Sequence, residues 1–570
     1  MRAGSTPWLT PLLGGLLGAA FFLATLGPAI VRPGNLGWLM RHDTQTYLLA
    51  WHHFRREPWQ WPPGKVVGVG YPVSTSVGNS DAIPLVALPL KAFHGWFPDP
   101  GQYLGAWLLA CFVLQGVFGA LLVRQVTADR TTQVLGAALF VQTPALLFRV
   151  GHTALCGHWL LLAAIWVAAS HRQRPWRWRL TAWCLVAAGV AATQPYLAVL
   201  VLGLAAADFA SDALWPRPSP AAVPDAAAGF GAVVVVMVAV FWLAGIFLVG
   251  GSDLEREGLG FYSMNLLAPI ISLGTSALLP DIPAATPGQY EGMLYFGAGW
   301  LALALAAAAA ALLGKGTAPS LRLGWLAVAV FWLYALSPMV TAGSTTLVDL
   351  RASTPAIFSV FRSSGRFGWL GMYVIFATVL ATVARTLPRR TAIGVVAAAL
   401  VLQTVDLTRM YTGVRARERS AEWTRWEDPL THPVWNLALP HYRHLVMVPA
   451  DMCVGAETEN AGPHLPFSLR AGSHGVTINS GNAGRYDGGA VIAYCLAADA
   501  AIRAGQVADD SLYVLTPTMR DVLARATRTP LVCGSADGFQ LCASEASAQA
   551  WIEPARAAGF AAVSALPARR

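Results

Sequence analysis

The residues of this chain best suited to chemistry stand between its long apolar runs, and the first group is RHDTQTYLLAWHHFRREPW, from Arg41. Asp43 lies just beyond the first apolar run, in a stretch where Tyr47, Leu48 and Trp51 recur at helical spacing. A carboxylate held there could take a proton from an acceptor hydroxyl, with Arg41 and His42 beside it. The alternative is that Asp43 caps a helix starting at Thr44, a place Asp favours. The next strip, GYPVSTSVGNSDAIPL, brings Asp81 after a set of turn residues. Asp81 could be a second carboxylate, a metal ligand or an N-cap. Lys91 follows in the apolar segment 82–97, which Pro84 and Pro89 break, so that it reads as a re-entrant or interfacial helix.

Three further groups could bind. In RVGHTALCGHWLLL, His152 and His158 stand at the mouth of a span, where ionisable groups often line sites but also simply anchor helices. Their spacing of six does not suit the i, i+4 zinc pair, and no H-E-x-x-H occurs. GLGFYSMNLLAPI and TPGQYEGMLYFG share one loop. Tyr262, Asn265, Gln289, Tyr290 and Glu291 suit a polyhydroxylated ligand, with rings against its faces and amides on its hydroxyls. A well-packed loop, or Glu291 favouring a helix N-terminus, would look the same. FRSSGRF carries Arg362 and Arg366 four apart, so at helical spacing they point the same way. Their guanidinium forks could hold a phosphate, with Ser363 and Ser364 as extra donors, or they could snorkel to the interface. No Walker A loop, G-x-S-x-G elbow or dinucleotide fingerprint is present, which argues against nucleotide-driven chemistry.

The elements that must position these groups are apolar. The chain has 570 residues, 55% hydrophobic and 12% charged, with a mean hydropathy of +0.51. Soluble domains carry roughly twice that charge. The composition therefore reads as an α-helical polytopic membrane protein with about eleven transmembrane helices, from Trp8–Ile30 to Thr391–Leu407. Among them are Gly231–Gly250 and Leu323–Thr341. The first lacks a small-residue cleavage site after it and reads as a retained span. The net charge of +9 comes without a basic stripe interleaved with aromatics, so no nucleic-acid partner is expected.

Arginine and lysine in alternate loops set the orientation: Arg124 and Arg130, the run His171–Arg179, Lys315 and Arg322, and Arg385, Arg389 and Arg390. The positive-inside rule places these in the cytoplasm with the N-terminus. Every loop bearing the chemistry, and the tail, then lies outside. The cations of the first outer loop argue back, and either invert the topology or serve an anionic ligand.

The chain thus divides into a membrane domain, 1–408, and an external domain, 409–570. In the latter HLVMVP, GVTINS, SLYVLT, PLVCGS and FQLC read as strands and 490–504 as a helix, which predicts a small soluble α/β domain. Four of the seven cysteines lie here. Asp537–Gly538 is a hairpin signal that sets Cys533 opposite Cys542 at a non-hydrogen-bonded pair, close enough for a disulfide. Cys453 and Cys495 remain as the second pair, and paired cysteines place the tail in an oxidising compartment.

The many spans, a carboxylate shortly after the first, and a large domain after the last resemble the GT-C superfamily of membrane glycosyltransferases. YSMNLLAP, GQYEG, GHTALCGHW and FRSSGRF more closely resemble an unassigned bacterial membrane family grouped with GT-C. The resemblance implies an inverting transfer, on the outer face of a bacterial inner membrane, from a polyprenyl-phosphate sugar to an acceptor hydroxyl on a glycan, lipid or protein. Asp43 would be the base, and Arg362 and Arg366, with Lys91 or Arg41, would stabilise the phosphate leaving group. Asp43 is not in the paired-acid arrangement of many GT-C members. No tightly bound cofactor is expected, and a divalent cation is left open. Two other classes are open: a flippase or transporter of a lipid-linked glycan, which would need the basic groups but not a base, and a non-catalytic scaffold for the external domain, in which the tail is the working part. A transporter would tend to show internal repeats, and none is found.

Overall fold

The computed structural model describes residues 8–170, 174–214, 222–249, 258–313, 323–454, 464–481 and 485–563. Lys315, Arg322, part of the His171–Arg179 run and the side chain of His42 lie outside the described residues. The chain forms two compact units, each discontinuous in sequence. One is built from Met1–Val31, Leu104–Val240 and Leu254–Ser420, the other from Arg32–Tyr103, Phe241–Asp253 and Ala421–Arg570.

The first unit is helical. Each apolar run expected to span contains a helix, but a bilayer core about 30 Å thick asks for roughly 20 apolar residues. Among the described residues five helices are long and apolar enough: Leu104–Arg124, Arg130–Phe148, Pro195–Leu214, Val223–Leu243 and Ser364–Thr386. Arg389–Asp406 and Thr408–Glu418 make a sixth if that pair, bent by 49°, counts as one span. Leu9–Thr25, Thr153–Ala169, Ala298–Leu312 and Gly324–Leu336 are apolar but shorter. Eleven full spans are therefore not established.

Several expected spans differ in their bounds. The helix within Leu323–Thr341 stops at Leu336, because Ser337 takes φ +61° and Pro338 follows. Met339–Ala342 then pairs antiparallel with Thr345–Asp349. The helix expected over Gly231–Gly250 runs instead from Ala222 to Leu243.

Small residues let the spans approach closely. A Cβ at Gly14 would stand 2.3 Å from the Gly116 carbonyl oxygen, so Leu9–Thr25 and Leu104–Arg124 touch backbone to backbone. One arginine of the alternate loops is used internally: buried Arg179 donates to Asp208 at 3.0 Å and to Asp212 at 2.8 Å.

The second unit is built on a six-stranded sheet, in the order Ala561–Val563, Leu531–Ala536, Phe539–Ser544, Ser511–Leu515, His444–Val448, Thr477–Ile478. The last three strands are parallel and the others antiparallel. Trp435, Phe467, Trp551 and Phe560 fill the core on one face. The five strand runs and the helix read from the tail all appear, the helix as Gly488–Arg503; the edge strand Ala561–Val563 and the helices His464–Ser473 and Pro517–Ala526 are additional. Cys533 faces Cys542 in the hairpin register, and both disulfides form, 533–542 and 453–495.

The loop after the first apolar helix is built into this unit. Its helix His42–Phe54 packs against His464–Ser473, with His52 Nε2 2.8 Å from the Leu469 carbonyl oxygen and His53 Nε2 2.9 Å from that of Ser468.

Candidate functional site

In the first unit the quoted motifs converge, and Arg149, which opens RVGHTALCGHWLLL, joins them. Arg149 follows the short helix Pro144–Phe148, Glu291 lies in the turn Pro287–Gly292, and Arg366 in the turn Ser364–Phe367. Arg149 Nη1 donates to Glu291 Oε2 at 2.9 Å, and Arg366 Nη2 donates to the same oxygen at 2.6 Å. Arg149 Nη2 also donates to the carbonyl oxygens of Tyr290 and Glu291, at 2.6 and 2.5 Å. The side chains are almost fully enclosed, Arg149 at 1% exposure and Glu291 at 4%. Burial pushes the Glu291 carboxyl up, but Arg366 and Arg149 more than offset it and hold it at about 2. Burial lowers Arg149 to about 10, against the pull of Glu291. Two guanidinium groups thus face one carboxylate oxygen. Half-buried His152 adds to the field that lowers Glu291.

Glycine makes this convergence geometrically feasible. A Cβ at Gly292 would sit 2.6 Å from the Gly365 Cα, so the GQYEG and FRSSGRF turns meet through backbone alone. Gly365 N–H donates to the Tyr262 carbonyl at 3.0 Å, which ties in the YSMNLLAP loop.

Within that loop the expected ligand-binding amides turn inward. Asn265 Nδ2 donates to Gln289 Oε1 at 3.1 Å and to the Gly343 carbonyl at 2.8 Å, and Gln289 Nε2 donates to Thr341 Oγ1 at 2.7 Å. Both amides are buried and engaged with the protein, so their place in the structure is to fasten the two loops and the 339–349 hairpin. Tyr290 remains exposed and Tyr262 half-buried.

The two arginines of FRSSGRF do not run parallel. Residues 361–363 are not helical, and Arg362 is exposed with its guanidinium 4.9 Å from the centre of the Tyr262 ring. Arg366 turns inward to Glu291, 4.6 Å from the centre of the Tyr196 ring. Tyr196 OH accepts from Ser363 N–H at 3.1 Å, which fixes the turn between them.

The remaining candidates lie in the second unit. The helix His42–Phe54 has Arg41 at its N-cap, with no side-chain capping bond. Asp43 therefore stands exposed in the first turn and is not the cap, so the capping alternative is corrected. Arg41 is exposed beside it. Asp81 is half-buried at φ +53°, two residues before Ile83, which is the N-cap of Pro84–Lys91; Asp81 is not that helix's cap either. Lys91 is buried, its Nζ 4.0 Å from the Phe54 ring centre and 4.7 Å from that of Trp59. Burial lowers its amine to about 8, and Glu57 opposes that shift. Among the described residues no group of three or more His, Cys, Asp or Glu side chains could hold a metal ion.

Sequence reasoning missed Arg149. The signal was present, since FRVGHT places an arginine at the same mouth of the spans where Arg362 drew attention. His158 is buried deeper, its Nδ1 2.8 Å from the Tyr373 hydroxyl.

Residues 15–408 match the family described as Domain of unknown function (DUF6311), and residues 434–544 match the DUF6311 C-terminal domain. No curated protein matches the chain. Among solved structures it is similar to the archaeal oligosaccharyltransferase AglB from Archaeoglobus fulgidus, in complex with an inhibitory peptide and a dolichol-phosphate. There the TM-score is 0.41 at 11% identity, over 94% of this chain and 74% of that one. The apo form of the Archaeoglobus fulgidus oligosaccharyltransferase gives 0.41 at 12% identity, over 95% and 75%. The form tethered to an acceptor peptide containing the NVT sequon gives 0.38 at 13%, over 95% and 74%.

Proposed function

The chain belongs to the DUF6311 family, and we propose that it transfers a sugar from a polyprenyl-phosphate-linked donor to an acceptor hydroxyl at the membrane surface, with inversion. The observation that supports this reading is the convergence of Arg149, Glu291 and Arg366 in one buried cluster, with Arg362 exposed in the same motif as Arg366 and open to an anionic ligand.

In the reaction an acceptor oxygen attacks the anomeric carbon from the face opposite the phosphate. The bond from that carbon to the phosphate oxygen breaks, and polyprenyl phosphate leaves with the bonding pair. The acceptor proton passes to Asp43, whose carboxylate is exposed in the first turn of its helix. A lipid phosphate is already a stable anion, so the transition state needs opposing charge more than a strong acid. Arg362 and Arg366 supply it.

The test uses the full-length protein in lipid nanodiscs with polyprenyl-phosphate sugars, and follows release of polyprenyl phosphate together with acceptor glycosylation. Release coupled to transfer is expected. Donor movement across a vesicle bilayer without any release would replace the enzyme by a flippase.

A further inference from the structure

A second cationic site lies at the other ends of Arg130–Phe148 and Ser364–Thr386 from this cluster, and it does not depend on the glycosyl-transfer reading. The segment 127–129, the start of Arg130–Val141, the end of Gly368–Thr386 and the start of Arg389–Asp406 border a groove of about 570 Å³. That volume falls within the roughly 300–1,000 Å³ of small-ligand sites. Its polar lining is Thr127, Asp129, Arg130, Thr131, Thr132 and Arg389, and alanines make its apolar wall.

Asp129 is occupied by its neighbours. It accepts from Thr132 N–H and Oγ1, both at 2.8 Å, and from Arg389 Nε at 2.7 Å. The one carboxylate of the groove is thereby neutralised. Arg130 is exposed and adds a positive charge, and Arg389 keeps 75% of its side chain exposed while it pairs. Arg385 and Arg390, also exposed, flank Arg389 in the chain and raise the local potential.

These residues stand at the ends of helices long and apolar enough to cross a bilayer, which is the depth at which lipid phosphates lie. We infer that the groove binds the phosphate group of an anionic membrane lipid. Arg130 and Arg389 present charge and planar donors, Thr127 and Thr131 present hydroxyls, and the alanine wall receives the apolar start of the lipid. A soluble phosphate would use the same arginines but gain nothing from that wall.

The full-length protein in detergent, titrated with phosphatidylglycerol or phosphatidylcholine and read by native mass spectrometry, tests this. Wild type should retain phosphatidylglycerol about tenfold better than phosphatidylcholine, and Arg130→Gln should remove most of that preference. Arg130 has no part in the Asp129 cap, so this variant keeps the helix start; Arg130→Gln with Arg389→Gln should abolish the preference. Unchanged retention of phosphatidylglycerol in Arg130→Gln would overturn the site. Binding of millimolar inorganic phosphate to wild type, without preference between the two lipids, would overturn the lipid assignment in favour of a soluble anion.

Discussion

Arg149 and Arg366 donate to one and the same oxygen of Glu291, at 2.9 and 2.6 Å. The two guanidinium groups share that oxygen, so removing the carboxylate takes the same partner from both. Breaking a buried ion pair from one side costs about 3–5 kcal/mol. Glu291→Gln should lower stability by that order, and adding Arg149→Met should recover a large part of it. Thermal unfolding of the purified variants checks this, and a double variant no more stable than the single would rule out charge balance as the cause.

Asp43 offers a cleaner separation of roles, because it lies in the first turn and not at the cap. Asp43→Asn keeps the size of the side chain and gives up at most about 0.3–1 kcal/mol of helix-dipole stabilisation. As the base, its loss should cut turnover by about 10²–10⁴-fold with donor binding intact. Near-normal turnover of the Asn variant on a polyprenyl-phosphate sugar would remove Asp43 from the mechanism.

Arg362 is exposed where Arg366 is enclosed, so the two should fail differently. Arg362→Ala should raise the donor KM by about one to two orders of magnitude, the worth of roughly 1.5–3 kcal/mol for a charge-assisted contact. Arg366→Ala should lower the melting temperature as well, since it unbalances the cluster. Steady-state kinetics beside a melting curve distinguishes them; equal effects on both readouts would contradict the separate placements.

The buried histidines of the first loop predict a pH dependence. Burial is the main cause that lowers His53 from about 6.5 to about 4, and His52 shifts the same way. Their neutral forms are the folded ones, so between those values the unfolded chain binds more protons. The stabilisation is full above about pH 6.5 and is lost as pH falls toward 4, by about 3 kcal/mol for His53. Hydrogen-exchange protection relative to the intrinsic rate at each pH should fall in the helices His42–Phe54 and His464–Ser473 as pH drops through that window, and His53→Gln should flatten the response. A loss of protection that the variant leaves unaltered would place the titrating group elsewhere.

The two disulfides should differ in weight. Cys453 and Cys495 are 42 residues apart and Cys533 and Cys542 only 9. Loop-closure entropy then assigns about 4 kcal/mol to the first and about 2.5 to the second. Cys495→Ser should destabilise the protein more than Cys542→Ser in denaturant titration, and the reverse order would refute the entropic account.

The tail was largely legible, because its strands carry their own period and the Asp537–Gly538 turn fixes a register that Cys533 and Cys542 report. The helices were legible as apolar runs, but their ends were not. Ser337 and Pro338 stop one helix inside a run that hydropathy alone would carry to Thr341. Of the ion cluster, motif chemistry singled out Glu291 and Arg366 and passed over Arg149. It did not show that Asn265 and Gln289 bond to each other, because sequence does not say which amides of separate motifs meet. It also gave no sign that residues 32–103 pack with chain beyond 420, since nothing in a linear pattern encodes a partner hundreds of residues away.

That last arrangement sets a timetable for the newly made chain. His52 bonds to a residue 417 positions later, and at about 5–20 residues per second of synthesis its partner arrives roughly 20–80 s afterwards. Throughout that interval His52 and His53 lack the carbonyl oxygens they meet in the finished protein, while Trp51 and Phe54 can already pack on Phe97, Tyr103 and Trp59 of their own loop.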